Sequence, residues 1–294
     1  MKPFSGPRRR PLVWAFLGLL AFIFRAGAQP ATITCVPEDR EIFNALFRDL
    51  HARPGGSMGE AMIAVGKLFL GTPYKAGTLE QPGEETLVVN LRGMDCTTFV
   101  EHVLALSRVW HTDPANWQAY LRELQQIRYR EGRLQGYPSR LHYFTDWIRD
   151  NARKGYVVDV TSELGGRLEL RQINFMGTHP ERYPALANPE HLQEIRHRES
   201  ELSEMPYFLL RREAVARKED LLQDGDIIAL ATSLKGLDVT HTGIAIRQRD
   251  GRIHLLHAST SGEVTITDQP LADYLAGIKG NTGILVARPQ PPEP

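Results

Sequence analysis

Cys96, His241 and His257 are the residues of this sequence best suited to nucleophilic catalysis. Cys96 lies in residues 93–101, where a loop is predicted to turn into a helix. A thiol at a helix N-terminus meets unpaired backbone amides and the positive end of the helix dipole, and both favour the nucleophilic thiolate. The same amides could hold an oxyanion while the sulfur attacks a carbonyl. Taken alone, however, a free cysteine is more often a small buried core residue.

The two histidines could supply a general base and the residue that orients it. His241 opens one predicted strand, and His257 ends the next. If these strands pair through the turn at Asp250 and Gly251, the two imidazoles become cross-strand neighbours on one face of the sheet. His254 stands at an odd offset from His257 and should face the other way. A nucleophile, a base and an orienting residue are what acyl transfer requires, although a lone strand histidine is more often structural.

Two other roles for these side chains stay open. A disulfide between Cys35 and Cys96 is compatible with an exported protein, and it would leave a non-catalytic binding module without a free nucleophile. Cys96 and the two histidines could also hold zinc, but the sequence lacks CxxC and HxxxH spacing. We therefore expect neither a metal nor a cofactor.

Helices must position the cysteine, and strands the histidines. Apolar residues recur at helical spacing after Cys96, and Thr98 followed by Glu101 predicts a capping box at the start of that helix. Further helices are predicted over residues 38–53 and 57–70, from 113, from 139 and around 190–204. Short strands are predicted at residues 156–160, 226–231, 241–247, 252–257, 264–267 and 283–287. The fold class is therefore α+β, with the helix of Cys96 packed on a small antiparallel sheet.

The chain begins with a predicted export signal. Arg8, Arg9 and Arg10 precede an apolar stretch, and the small residues at 26–28 suit signal-peptidase cleavage. Residues 1–28 are thus predicted as a signal peptide and 29–37 as a short mature segment. Residues 38–290 are predicted as a single catalytic domain with a helical half (38–155), an insertion (161–215) and a β-rich half (225–288). We expect an exported protein, periplasmic in a Gram-negative host, with no stable membrane anchor after cleavage; an uncleaved N-terminal anchor is the alternative.

The charge balance argues against a nucleic-acid partner. The chain carries 35 Lys and Arg against 35 Asp and Glu. The predicted signal peptide holds basic residues and no acidic ones, so the mature chain has a mild excess of negative charge. A protein that binds nucleic acid needs a clustered basic face instead.

The order of the motifs resembles that of a known family, the NlpC-type papain-like cysteine hydrolases of bacterial cell walls. Those enzymes have an upstream Tyr, an Asp-Cys-Ser-Gly nucleophile motif, a His-Val-Gly base motif and a His-Ala-Ser motif. The corresponding segments here are Gly71-Thr72-Pro73-Tyr74, Asp95-Cys96-Thr97-Thr98, His241-Thr242-Gly243 and His257-Ala258-Ser259. The Thr97-Thr98 pair departs from the common Ser-Gly. With Thr78-Leu79-Glu80, Asn174-Phe175-Met176, Gly236-Leu237-Asp238 and residues 271–275, it resembles the N-acetylmuramoyl-L-alanine amidase-like branch, long catalogued as a domain of unknown function.

The resemblance implies a papain-like fold, a reaction and a substrate. The reaction would be hydrolysis of the N-acetylmuramoyl–L-alanine bond in soluble, especially anhydro, muropeptides during peptidoglycan turnover. Cleavage of the γ-D-glutamyl–diamino acid bond of stem peptides is the alternative, because residue spacing does not distinguish the two bonds. Cys96 would be the nucleophile, His241 the base and His257 its orienting residue. The residues expected to bind substrate are Tyr74, Thr78, Asp95, Asn174, Asp238 and Ser259; Asp95 is also a candidate helix cap.

Overall fold

Helices occupy most of the first half of the protein, as the sequence predicts. The structure is a computed structural model, and it describes Met1 and residues 32–51 and 56–292. The predicted signal peptide therefore lies outside the described residues apart from Met1. The helices are α1 (Pro37–His51), α2 (Met58–Leu68), α3 (Cys96–Thr112), α4 (Trp117–Arg128), α5 (Phe144–Arg153), α6 (Phe175–Thr178), α7 (Pro189–Ser203), α8 (Arg212–Lys218) and α9 (Leu271–Gly277).

The strands form one large sheet and a separate two-stranded pair. They are β1 (Ile33–Thr34), β2 (Leu87–Val88), β3 (Val157–Asp159), β4 (Arg167–Glu169), β5 (Tyr207–Arg211), β6 (Ile227–Thr232), β7 (Val239–Arg247), β8 (Ile253–Ala258), β9 (Val264–Ile266) and β10 (Asn281–Pro289). The sheet order is β4-β5-β10-β6-β7-β8-β9, and β3 also pairs with β10. Strands β6 to β9 form the predicted antiparallel meander, and β10 returns to pair beside β6.

The two faces of the sheet are buried by different helices. Alternate residues of β6 enter different cores: Ile227 packs in the core shared with α3, and Ile228 packs in the core shared with α8 and α9. A strand that is covered on both faces has a continuous run of apolar residues in its sequence, and residues 227–231 fit that pattern. Helix α3, which carries Cys96, therefore packs on one face of the sheet, and α8 and α9 pack on the opposite face.

Helix α3 is more deeply buried than a single apolar face would allow. Every residue from Thr98 to Val109 is buried, because α2, α4, β7 and β8 surround the helix. Its buried charges are paired, as burial requires. Glu101 accepts a 2.7 Å hydrogen bond from Arg128 of α4, and Arg108 binds Glu123 at the same distance. The start of α3 is thus locked to its neighbours.

Three helix starts differ from the sequence prediction. The α3 cap is Asp95 with Thr98, not Thr98 with Glu101, because Cys96 is already the first helical residue and Glu101 is occupied by Arg128. Helix α4 begins at Trp117 after an Asn116 cap, since Asp113 instead ends α3. Helix α5 begins at Phe144 rather than near 139, where residues 137–139 form one 3₁₀ turn. The Ser57 and Glu60 capping box of α2 is confirmed.

The predicted insertion contributes to the sheet as well as to the surface. Strands β4 and β5 both lie within residues 161–215, and β5 pairs with β10. Helices α6 and α7 enclose a third apolar core with Ile173, Met176 and Ile195. Among the described residues, no helix is both long and apolar enough to cross a membrane.

Candidate active site

A reciprocal cap fixes the backbone at Cys96. The Asp95 carboxylate accepts hydrogen bonds from the Thr98 amide (2.8 Å) and the Thr98 hydroxyl (2.9 Å), while the Asp95 amide donates to the Thr98 hydroxyl (3.0 Å). These bonds explain why Thr98 can stand where the related motif has glycine: its hydroxyl completes the cap. Asp95, expected among the substrate-binding residues, therefore has a structural use for its carboxylate.

Tyr74 is held alongside this helix start by backbone pairing. The Lys75 amide donates to the Met94 carbonyl at 3.0 Å, and the Met94 amide donates to the Pro73 carbonyl at 3.2 Å. Residues 73–75 thus run beside the two residues that precede Cys96. Burial raises the pKa of the Tyr74 hydroxyl, and negative charge at Cys96 and Asp95 raises it further. The hydroxyl consequently stays protonated and is a hydrogen-bond donor close to the sulfur.

The two histidines are in direct contact. Nε2 of His241 lies 2.5 Å from Nδ1 of His257, and the rings are nearly perpendicular at 86°. The register pairs Ile244 with Leu256, so His257 lies opposite Gly243 and His241 is its diagonal neighbour on the same face. With Nε2 of His241 bound to His257, Nδ1 is the nitrogen that remains to accept a proton from a nucleophile.

Gly243 makes this contact possible. A Cβ atom at this position would lie 2.8 Å from Cδ1 and Cγ of Leu255 and 2.9 Å from Cβ of His257. Carbon atoms in contact normally stay about 3.5–4.0 Å apart. A side chain at residue 243 would therefore displace His257 from His241. This clash explains why residue 243 is a glycine.

Thr242 joins the histidine strand to the cysteine helix. Its hydroxyl donates a 2.8 Å hydrogen bond to the carbonyl oxygen of Cys96. Because Thr242 follows His241 directly, this bond ties the backbone of Cys96 to the strand that carries His241. Thr242 was not among the residues that the sequence pointed to. Its place in the alternation of β7, opposite to both histidines and facing α3, is the signal that could have identified it.

Burial shifts the pKa values of Cys96, His241 and His257. It raises the pKa of the Cys96 thiol, and the nearby Asp95 carboxylate raises it further, against hydrogen bonds from Thr242 that lower it. Burial, assisted by the neighbouring His257, lowers the pKa of His241 to about 3. Burial alone lowers the pKa of His257 to about 4. The helix terminus is expected to favour a thiolate, and burial at Cys96 opposes that effect, while burial of the two histidines favours their neutral forms.

Asp238 is buried and braces the loop that leads into β7. Its carboxylate accepts hydrogen bonds from the amide and hydroxyl of Thr145, each at 2.8 Å, and from the Val239 amide at 2.7 Å. Thr145 lies in the first turn of α5, which follows Tyr143, a residue unsuited to cap a helix. Asp238, expected to bind substrate, instead caps α5 from a distant part of the chain.

Three other expected binding residues also have structural partners. Asn174 precedes α6, and its amide donates to the Gly236 carbonyl at 3.0 Å. The Ser259 hydroxyl lies 2.8 Å from that of Ser261 in the turn after β8. Thr78 is buried, and its carbonyl accepts a bond from Gln81. The structure thus groups Tyr74 with Cys96, while these three residues support surrounding loops.

The disulfide alternative for Cys96 does not match the structure. Both Cys35 and Cys96 are free thiols, so the predicted alternative of a disulfide between them is wrong. Within residues 32–51 and 56–292, no three His, Cys, Asp or Glu side chains are grouped as metal ligands would be. The arrangement is a thiol at a helix start that Thr242 ties to β7, the strand whose His241 is in contact with His257. Such an arrangement can transfer a proton from sulfur to nitrogen and attack a carbonyl.

Comparison with known proteins connects this site to cell-wall amidases. A family model described as N-acetylmuramoyl-L-alanine amidase-like matches residues 64–284, which include Cys96, His241 and His257. A solved N-acetylmuramoyl-L-alanine amidase from Bacteroides uniformis is 40% identical, with a TM-score of 0.76. The match covers 80% of this chain and 100% of that one. No curated protein sequence matches the chain.

Two further structures share the fold. A Bacteroides fragilis protein proposed to be a xylanase is 41% identical, with a TM-score of 0.71, over 76% of this chain and 98% of that one. A Legionella pneumophila protein is 19% identical, with a TM-score of 0.66, over 87% of this chain and 96% of that one. Glycosidases generally use two carboxylates that flank the bond, whereas this site is built on a thiol and two imidazoles. The mixed α+β fold, with helices packed on an antiparallel sheet, is common to all of them.

Proposed function

Because the chain belongs to the N-acetylmuramoyl-L-alanine amidase-like family, we propose that it is an exported cysteine amidase that cleaves the N-acetylmuramoyl–L-alanine bond of soluble muropeptides. The family makes the protein an amidase-like hydrolase with peptidoglycan-derived substrates. The proposal adds the nucleophile, the bond, the soluble and especially anhydro-muropeptide substrate, and the location, which is periplasmic in a Gram-negative host.

The observation that carries the cysteine mechanism is the 2.5 Å contact between His241 on β7 and His257 on β8. Thr242, the residue after His241, ties β7 to the backbone of Cys96. A nucleophile at the start of a helix, a base on the adjoining strand and an orienting residue on the next strand form a papain-like arrangement. Thr242 lies 146 positions after Cys96, and its bond joins the start of the nucleophile's helix to the strand of His241. This connection, with the contact between the two histidines, supports acyl transfer through sulfur.

The first step forms a thioester. The substrate carbonyl approaches Cys96, and Nδ1 of His241 takes the thiol proton as sulfur attacks the carbonyl carbon. Burial favours the neutral thiol and the neutral imidazole that this transfer needs, and a pre-formed thiolate–imidazolium pair is the alternative starting state. The amide of Cys96 at the helix start and the Tyr74 hydroxyl are the donors proposed for the oxyanion. The protonated His241 then gives its proton to the leaving nitrogen of L-alanine, and the carbon–nitrogen bond breaks.

The second step releases the lactyl carboxylate. Water gives a proton to Nδ1 of His241 and attacks the thioester carbonyl. Collapse of the tetrahedral intermediate expels the Cys96 sulfur, which recovers its proton from His241. His257 accepts a hydrogen bond from the Nε2–H of His241 throughout, and so keeps Nδ1 free and stabilises the imidazolium that forms transiently.

The experiment that tests this proposal identifies the bond directly. The protein is incubated separately with an anhydro-disaccharide–tripeptide and with the free tripeptide, and the products are read by mass. We expect free tripeptide and anhydro-disaccharide from the first substrate, and no reaction with the second. Cys96→Ala serves as the inactive control. Release of the diamino acid from either substrate would identify a γ-D-glutamyl endopeptidase and refute the proposed bond.

A further inference from the structure

Tyr274 is an aromatic residue beside the histidines that the steps above do not use. It lies on α9, and its ring meets the His257 ring edge-on, with centroids 5.6 Å apart and planes at 73°. The His241 ring contacts the same imidazole, with centroids 4.8 Å apart. Perpendicular aromatic contacts prefer defined geometries and contribute about 0.5–1.5 kcal/mol beyond the area they bury. Two rings from different elements thus restrict how His257 can turn.

The short helix that carries Tyr274 is itself fixed in place. Leu271 and Leu275 are fully buried in the core behind the sheet, where Leu255 of the His257 strand also lies. The Tyr274 amide donates a 2.9 Å hydrogen bond to the Pro270 carbonyl at the start of the helix. Because Leu271 and Leu275 on either side are anchored, the backbone that carries the Tyr274 ring is held beside β8.

Tyr274 also lies near the nucleophile. Burial raises the pKa of its hydroxyl, and negative charge on Cys96 raises it further. The same effect of Cys96 is found at Tyr74. The ring contact with His257 places Tyr274 on the histidine side of the site.

We propose that Tyr274 is a positioning residue, whose ring orients the His257 imidazole and shields it from water so that Nδ1 of His257 stays in line with Nε2 of His241. The role of the ring follows from its contact with His257 and does not depend on a hydroxyl bond. The effect on turnover rests on the proposed function. The effect on His257 itself does not.

Two substitutions separate the ring from the hydroxyl. Tyr274→Ala removes both, whereas Tyr274→Phe keeps the ring. Trp110→Ala is the matched control, because it removes another partly buried aromatic residue from the far end of α3, about 21 Å from Cys96 along the helix axis. The readouts are the titration of the His257 imidazole by nuclear magnetic resonance, and kcat and KM with the anhydro-disaccharide–tripeptide.

For Tyr274→Ala we expect water to reach His257. Its titration midpoint should then rise by at least one pH unit from the value near 4. Turnover should fall about 10- to 100-fold with little change in KM, because a misoriented His257 weakens the base without altering substrate contacts. Tyr274→Phe and Trp110→Ala should both titrate like the wild type.

Other outcomes would overturn the inference. An unchanged His257 midpoint in folded Tyr274→Ala would show that the ring does not shield this residue. An equal shift in Tyr274→Phe would assign the effect to the hydroxyl. If the alanine variant does not fold, Tyr274→Leu keeps apolar volume without a ring, and normal turnover in that variant would refute the positioning role. A shifted midpoint in a protein that cleaves no muropeptide would refute the proposed function and leave the role of Tyr274 standing.

Discussion

A single added methyl group at Gly243 should disable the site without unfolding the protein. The Cβ of an alanine would lie 2.8 Å from two atoms of Leu255 and 2.9 Å from Cβ of His257. Since carbon atoms normally stay about 3.5–4.0 Å apart, strand β8 must retreat by roughly 0.6–1.2 Å. Overpacking of this kind costs about 1–3 kcal/mol of the free energy of unfolding.

The retreat of β8 should affect catalysis through one hydrogen bond. His257 would move with the strand, and its Nδ1 would leave the position 2.5 Å from Nε2 of His241. A displacement near 1 Å at a catalytic group can lower the rate about 100-fold. We therefore expect kcat for Gly243→Ala to fall about 10- to 100-fold, equivalent to roughly 1.4–2.7 kcal/mol of activation free energy.

The assay is steady-state hydrolysis of the anhydro-disaccharide–tripeptide, combined with thermal unfolding of the same samples. Gly277→Ala is the matched control, because a Cβ there would meet open space in the described structure. This control should retain wild-type kcat and melting temperature. Wild-type activity in Gly243→Ala would refute the reasoning, since it would show either that β8 does not move or that the contact between the histidines is dispensable.

Three further predictions follow from the same site. Cys96→Ala should fold normally and lose all turnover, whereas Cys35→Ser should remain active; comparable loss in both variants, measured with the same substrate, would contradict the role of Cys96. Because the pKa values of His241 and His257 lie near 3 and 4, kcat/KM should stay high down to about pH 5. For the same reason, the unfolded chain should bind protons more readily than the folded chain below pH 6.5. Stability should therefore decrease with falling pH, by up to about 1.4 kcal/mol per pH unit for each imidazole, and His241→Gln should flatten that slope in denaturant titrations. Asp238→Ala should lower the free energy of unfolding by about 1–2 kcal/mol through the lost cap of α5, and should reduce kcat more than KM; unchanged urea unfolding would refute the bracing role.

The sequence by itself was sufficient for features that depend on a few neighbouring residues. The apolar repeat after Cys96 placed the start of α3 to within a residue or two, although its cap is Asp95 with Thr98 rather than the predicted Thr98 with Glu101. The contact between His241 and His257 follows from strand alternation and one short turn. The motif resemblance identified the amidase-like family, because the segments around these residues are specific in combination.

Tertiary structure decided what depends on residues far apart in the chain. The capping role of Asp238 requires Thr145 of α5, 93 positions away. The pairing of β5 with β10 placed part of the predicted insertion inside the main sheet, which no local pattern in residues 161–215 indicates.

The charge state of the site is the clearest case of a property set by the fold. At the level of sequence, the helix terminus at Cys96 favours a thiolate, because the dipole and the free amides are local features. In the folded protein, burial raises the pKa of Cys96 and lowers the pKa values of His241 and His257, which opposes this local effect. The sequence therefore identified the three groups, whereas the shifts of their pKa values depend on burial, since desolvation penalises whichever form carries charge.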